Sequence, residues 1–122
     1  MKRLVSFFEI PSVDFNRAVK FYETVLNLKL GVFECDEEKM AFFPEEDGEM
    51  TGAVSYASDF LPSDNGVLIH FHVEDMESAL ERICENGGRI VRPKTKIEAE
   101  GCGYFSLFMD CEGNRLGLYS DR

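Results

Sequence analysis

No stretch of this 122-residue chain approaches the ~18 consecutive apolar residues that a membrane-spanning helix requires. No export signal is expected either. Met1-Lys2-Arg3 leads into an apolar run, but residues 4–8 are too few for a signal core, and Glu9 and Pro11 interrupt it, so the segment reads as a first strand. Cysteine is sparse, and Cys35, Cys84, Cys102 and Cys111 form neither a CxxC pair nor a zinc-binding spacing. The expectation is four reduced thiols in a cytoplasmic protein, with Cys84 filling the core from an apolar helix face. Positive charge is in deficit. Thirteen Lys and Arg against 23 Asp and Glu give a net charge of −10. That argues against a nucleic-acid backbone or an anionic membrane surface as partner. The acidity reads first as a solubility device, and secondarily as a weak preference for a cationic ligand. Histidine occurs only twice, at positions 70 and 72.

Hydrophobic residues make up 44% of the chain, including 11 Phe and 4 Tyr, which is enough for one domain with a substantial core. The order of elements repeats. Residues 4–10 form an apolar strand, and Asp14 caps a helix whose inner face is Phe15, Ala18, Val19, Tyr22, Val25 and Leu26. That helix ends near Asn27. Short strands are expected at residues 30–34, 40–43 and 52–56. Residues 58–66, rich in Asp, Pro, Ser, Asn and Gly, read as a linker. The pattern then restarts with a strand at residues 67–73 and a helix capped by Asp75, with Met76, Ala79, Leu80, Ile83 and Cys84 as its stripe. Strands follow at residues 89–91, 104–109 and 114–119, the last two joined by the turn Asp110-Cys111-Glu112-Gly113. An offset of 61 superposes Phe8 on Ile69, Ile10 on Phe71 and Asp14 on Asp75; near the ends of the halves an offset of 65 superposes Gly48 on Gly113. The chain is therefore read as an α+β domain of two tandem βαβββ modules, about residues 4–57 and 67–120. Their curved mixed sheets enclose a groove suited to a small ligand. Closing that groove favours a homodimer.

Three segments carry a family resemblance. The run Asp14-Phe15-Asn16-Arg17-Ala18-Val19-Lys20-Phe21-Tyr22-Glu23-Thr24-Val25-Leu26, the unit from Val73-Glu74-Asp75 to Gly87-Gly88, and the hairpin Asp110-Cys111-Glu112-Gly113-Asn114-Arg115-Leu116 resemble the vicinal oxygen chelate superfamily. Its members include lactoylglutathione lyase, extradiol dioxygenases and bleomycin-resistance proteins. The start Phe7-Phe8-Glu9-Ile10-Pro11 is similar to an uncharacterised glyoxalase-like subgroup. The resemblance implies the paired βαβββ fold and a divalent metal held by one His, Glu or Gln from each of four strands. The matching positions here are Phe7, Gly52, Leu68 and Gly117, and none offers a side-chain donor. No metal cofactor is expected at that ordinary site.

The remaining polar candidates cluster by strand alternation. His70 and His72, two apart, share a face with Leu68; the repeat places Glu9 opposite His70; Arg115 and Tyr119 share a face with Gly117. Three readings stay open. Glu9, His70 and His72 form a displaced metal site, or Glu9 and one His act as a metal-free acid–base pair with Arg115 holding an anion, or all are polar groove wall. Phe7, Leu68, Phe105, Arg115 and Tyr119 are the expected ligand contacts. Phe8, Tyr104 and Phe108 are alternatives to them, read first as core. Residues 97–103, with Gly101 and Gly103, are a candidate flap. Two functions follow: a small-molecule binder of the bleomycin-resistance kind, or a lyase or isomerase of the lactoylglutathione lyase type acting on a small carbonyl compound.

Overall fold

The computed structural model describes residues 3–122. The first module runs β1 (Phe8–Pro11), α1 (Phe15–Leu26), β2 (Gly31–Glu34), β3 (Lys39–Phe42) and β4 (Gly52–Tyr56). The second runs β5 (His70–His72), α2 (Met76–Glu85), β6 (Arg89–Lys96), β7 (Tyr104–Met109) and β8 (Arg115–Ser120). Each module forms one four-stranded sheet, ordered β1-β4-β3-β2 and β5-β8-β7-β6. In both sheets the strand before the helix pairs in parallel with the last strand, and the other pairs are antiparallel.

The helices form where expected because their ends are chemically marked. Asp14 accepts the Arg17 N–H and Asp75 the Ser78 N–H, and Asn27 closes α1 in the left-handed region at φ 54°. Strand ends differ more. Leu4 and Val5 are exposed and outside β1, and β5 shrinks to three residues with Val67 exposed. The strand β6 runs five residues past its expected end at Val91, through Pro93. It is an edge strand with two register irregularities, where a proline is tolerated. Cys84 is exposed rather than core. The α2 stripe centres on Met76, Ala79 and Ile83, and at 100° per residue Cys84 falls past Leu80 on its solvent edge.

One face of each sheet packs on the helices. Ile10, Ala41 and Val54 from the first sheet and Phe108, Leu116 and Leu118 from the second join Phe21, Tyr22, Met76 and Ile83 in one core. Phe8, Phe43 and Phe71 meet edge-to-face or tilted across the seam between the modules. Phe108 therefore belongs to the core and Tyr104 packs against it, while partly buried Phe8 packs on the core and also lines the seam.

The hairpin between β7 and β8 locks the modules together. Buried Asp110 accepts bonds from the Tyr22 hydroxyl at 2.6 Å, from the Glu112 and Asn114 amides at 2.8 and 2.9 Å, and from Asn114 Nδ2 at 2.9 Å. Asn114 Nδ2 also donates to the Pro11 carbonyl, and Asn114 Oδ1 accepts the Ser63 N–H. Glu112 caps the start of α1, accepting from the Val13 and Asp14 amides, and pairs with Arg17. Opposite, the Arg82 side chain donates from α2 to the Val25 carbonyl at 3.0 and 3.1 Å.

Burial and then the charge of Asp110 push the Tyr22 phenol well above its usual range. Tyr22→Phe removes one of four donors to a buried carboxylate and is expected to destabilise the fold by about 1–3 kcal/mol in urea unfolding. Burial, followed by the nearby Asp110, raises the half-buried Cys111 thiol to about 12. Cys111 therefore stays protonated at about pH 8, and a disulfide reagent should label the exposed Cys35, Cys84 and Cys102 and spare Cys111 in the folded protein.

Candidate functional site

The faces turned away from the helices carry the candidate residues. On the second sheet, register places His70 beside Gly117, His72 beside Tyr119, and Tyr119 beside Phe105. These side chains share one face, as alternation requires. They line an open cavity of about 610 Å³ together with Leu68 and Ile97. A seam cavity of about 590 Å³ reaches His70 and His72 from the other side, over Phe8 and Phe43.

The cavity is mostly ring surface. The rings of His72 and Tyr119 lie 5.7 Å apart, and those of His70 and Phe105 6.5 Å. His72 Nε2 sits 3.3 Å from Asp121 Oδ2. The Tyr119 hydroxyl accepts the Gly103 N–H at 3.1 Å, and the Ile97 N–H donates to the Gly103 carbonyl, so the segment 97–103 is tied at its base to the cavity wall. Gly117 has a steric reason to be glycine. A Cβ there would stand 2.3 Å from His70 Nδ1, because the imidazole lies across its backbone.

The expected cluster does not come together in one chain. Glu9 lies on the first sheet, beside Ala53, and accepts the Ser55 hydroxyl at 2.7 Å. It lines a separate cavity of about 310 Å³ with Arg115, under Phe60 and Leu61 of the linker. Alternation with inward-facing Phe8 turns Phe7 to the open face of the first sheet, 44% exposed and in neither of these cavities. Leu68, His70, His72, Phe105 and Tyr119 are therefore brought together; Glu9 and Arg115 form a second group; Phe7 stands alone.

The repeat also slips. Glu9 to His70 keeps the offset of 61, but their neighbours Ala53 and Gly117 are 64 apart, not 65. The first hairpin turns on two residues, Asp47 and Gly48, both with positive φ, whereas the second closes between Asp110 and Asn114 around three. The strands that follow are out of phase by one residue. Gly52 consequently faces the core, where a Cβ would stand 2.5 Å from the Phe8 ring, and the open-face position is Ala53. The corrected set of Phe7, Ala53, Leu68 and Gly117 still lacks any side-chain donor.

The pattern of the glyoxalase/bleomycin resistance protein/dioxygenase superfamily matches residues 4–118. The chain belongs to that superfamily. It is 26% identical over 115 residues to a glyoxylase-like domain-containing protein of Didymella fabae, across 90% of this chain and 88% of the relative. Its fold is similar to that of the V278E mutant of glyoxalase I from Zea mays, with a TM-score of 0.73 and 21% identity, over 93% of this chain but only 44% of the maize protein. It is also similar to TnmS3, an antibiotic binding protein from Streptomyces sp. CB03234, with a TM-score of 0.70 and 17% identity, over 99% and 98% of the two chains. At these identities the structural matches show the fold alone.

A four-strand metal site does not fit this chain. Its positions hold phenyl, methyl, isobutyl and hydrogen, and among the described residues no three His, Cys, Asp or Glu side chains converge on one point.

Two residues at the cavity escaped the sequence reading. Arg92 lies over the Phe105 ring at 5.1 Å, beyond the expected end of its strand. Asp121 follows the last expected strand. A β6 read through Pro93 would have placed Arg92 on the face of Leu107. Gly117→Ala must push the His70 ring aside. The expected result is a shifted His70 imidazole signal in NMR spectra and a loss of about 1–3 kcal/mol in stability.

Proposed function

We propose that this chain binds a small organic molecule in the ring-lined cavity of its second sheet, without the four-side-chain metal site of its superfamily. The observation that carries this reading is the composition of that face. Apolar and aromatic side chains enclose the space, and the ligand positions are donor-free. The similarity to an antibiotic binding protein over 99% of this chain supports it. A homodimer belongs to the same reading. Phe7 and Phe33 on the open side of the first sheet are 44% and 58% exposed, Leu68 on the second is 40% exposed, and a second copy would cover such surfaces. The proposed location is the cytoplasm, where the exposed thiols of Cys35, Cys84 and Cys102 stay reduced.

A second reading, a metal-free lyase or isomerase, is favoured by one contact. Asp121 at 3.3 Å can orient His72, leaving Nδ1 free to move a proton. The pair Glu9–His70 plays no part in it, since Glu9 lines another cavity.

Metal content decides the central claim. Protein purified without added metal, then titrated with Ni²⁺, Zn²⁺, Mn²⁺ and Fe²⁺, is expected to bind substoichiometrically, and His70→Ala/His72→Ala to change nothing. One metal per chain, lost in the double variant, would overturn the reading and restore a displaced metal site.

A further inference from the structure

The lining of this cavity does not share the acidity of the molecule. The chain carries 23 acidic and 13 basic side chains, yet among the described residues no carboxylate lines the 610 Å³ cavity. Asp121, beside the lining residue His72, is already engaged with it, and Glu45 and Glu46 line the seam cavity on the other side of His70. Glu9 faces another space, and Glu77 pairs with Lys94 at 3.2 Å. Two basic groups remain uncommitted. Among the described residues Arg92 makes no ion pair, and the ring of His70 makes neither an ion pair nor a hydrogen bond. Both are gathered around one ring. The Arg92 guanidinium is held 5.1 Å from the Phe105 centroid, and His70 meets the same ring edge-on. Arg92 itself is exposed and reaches the cavity only through Phe105, which lines it with Leu68, Ile97 and Leu107. Gly117 leaves the sheet without a side chain beside His70.

Resting on the binding reading above, we infer that the ligand is a flat aromatic acid. Its ring lies in the cavity against Phe105 and Tyr119, and its carboxylate lies beside Phe105, where Arg92 and His70 donate to it. A guanidinium already oriented by an aromatic face loses little freedom on binding and meets a carboxylate with two parallel N–H donors. An ammonium ligand would meet the like charge of Arg92 and finds no carboxylate in the lining to pair with. The weak preference for cations suggested by net charge is reversed at the site, because charge at a few ångströms outweighs charge spread over a screened surface.

Three probes of one shape test this: 2-naphthoate, neutral 2-naphthamide and 2-naphthylmethylammonium. The chain has no Trp, so naphthalene fluorescence anisotropy reads binding directly. Naphthoate is expected to bind about tenfold more tightly than the amide, and the ammonium more weakly than either. Arg92 is exposed, so Arg92→Gln folds; it should bring naphthoate to the affinity of the amide while leaving the amide unchanged. Phe105→Ala should weaken both. If the amide or ammonium equals the acid, or Arg92→Gln spares the acid, the charge assignment fails while the binding reading stands. If no probe of any charge binds, both fail together.

Discussion

The carboxylate of Asp110 is the interaction on which the rest of this fold depends. It is buried, it accepts four hydrogen bonds, and its partners come from α1 as well as from its own hairpin. A buried carboxylate is tolerated only when its lone pairs are met. Breaking the junction therefore costs more than one contact. Through Asn114 the same node reaches the end of β1 and the linker, and through Glu112 it reaches the first turn of α1. A module of about 60 residues buries a smaller share of its surface than the whole chain does. The node, with Arg82 on the far side, joins the two modules into one core.

Joining the modules in this way leaves two sheet faces uncovered, and steric detail decides what each presents. Gly52 and Gly117 stand at matching places in the sequence, but the first lies under a phenylalanine packed on the core and the second under a histidine on the open face. A difference of one residue between two hairpin turns separates them, because a one-residue shift exchanges the faces of a strand. At Gly117, one of the four positions that the family resemblance implies for a metal ligand, there is no side chain and the His70 imidazole lies across the gap.

The electrostatics follow the same logic of local placement. Net charge −10 describes a surface. The cavity is instead lined by rings, with a cation over one of them and Asp121 spent on His72. Among the described residues this face gathers rings and aliphatic side chains rather than a cluster of three His, Cys, Asp or Glu.

Much of the fold was legible in the sequence. Asp14, Asp75 and Asn27 marked the helices by capping chemistry, the 3.6-residue stripes marked their inner faces, and the repeat announced two modules. Alternation correctly put Leu68, His70 and His72 on one face, and Tyr119 with Gly117, because that period is a property of the extended backbone alone. The union of those two groups with Phe105, and the separation of Glu9 from them, arise only when sheets are packed and a linker is laid between modules. So does the role of Tyr22, which its helical stripe marks as apolar packing but whose hydroxyl anchors Asp110. Local pattern determined most inward and outward faces, with Cys84 and Gly52 as the exceptions. Tertiary structure decided which outward faces meet, since that depends on contacts between residues about 50 to 100 positions apart that no local periodicity encodes.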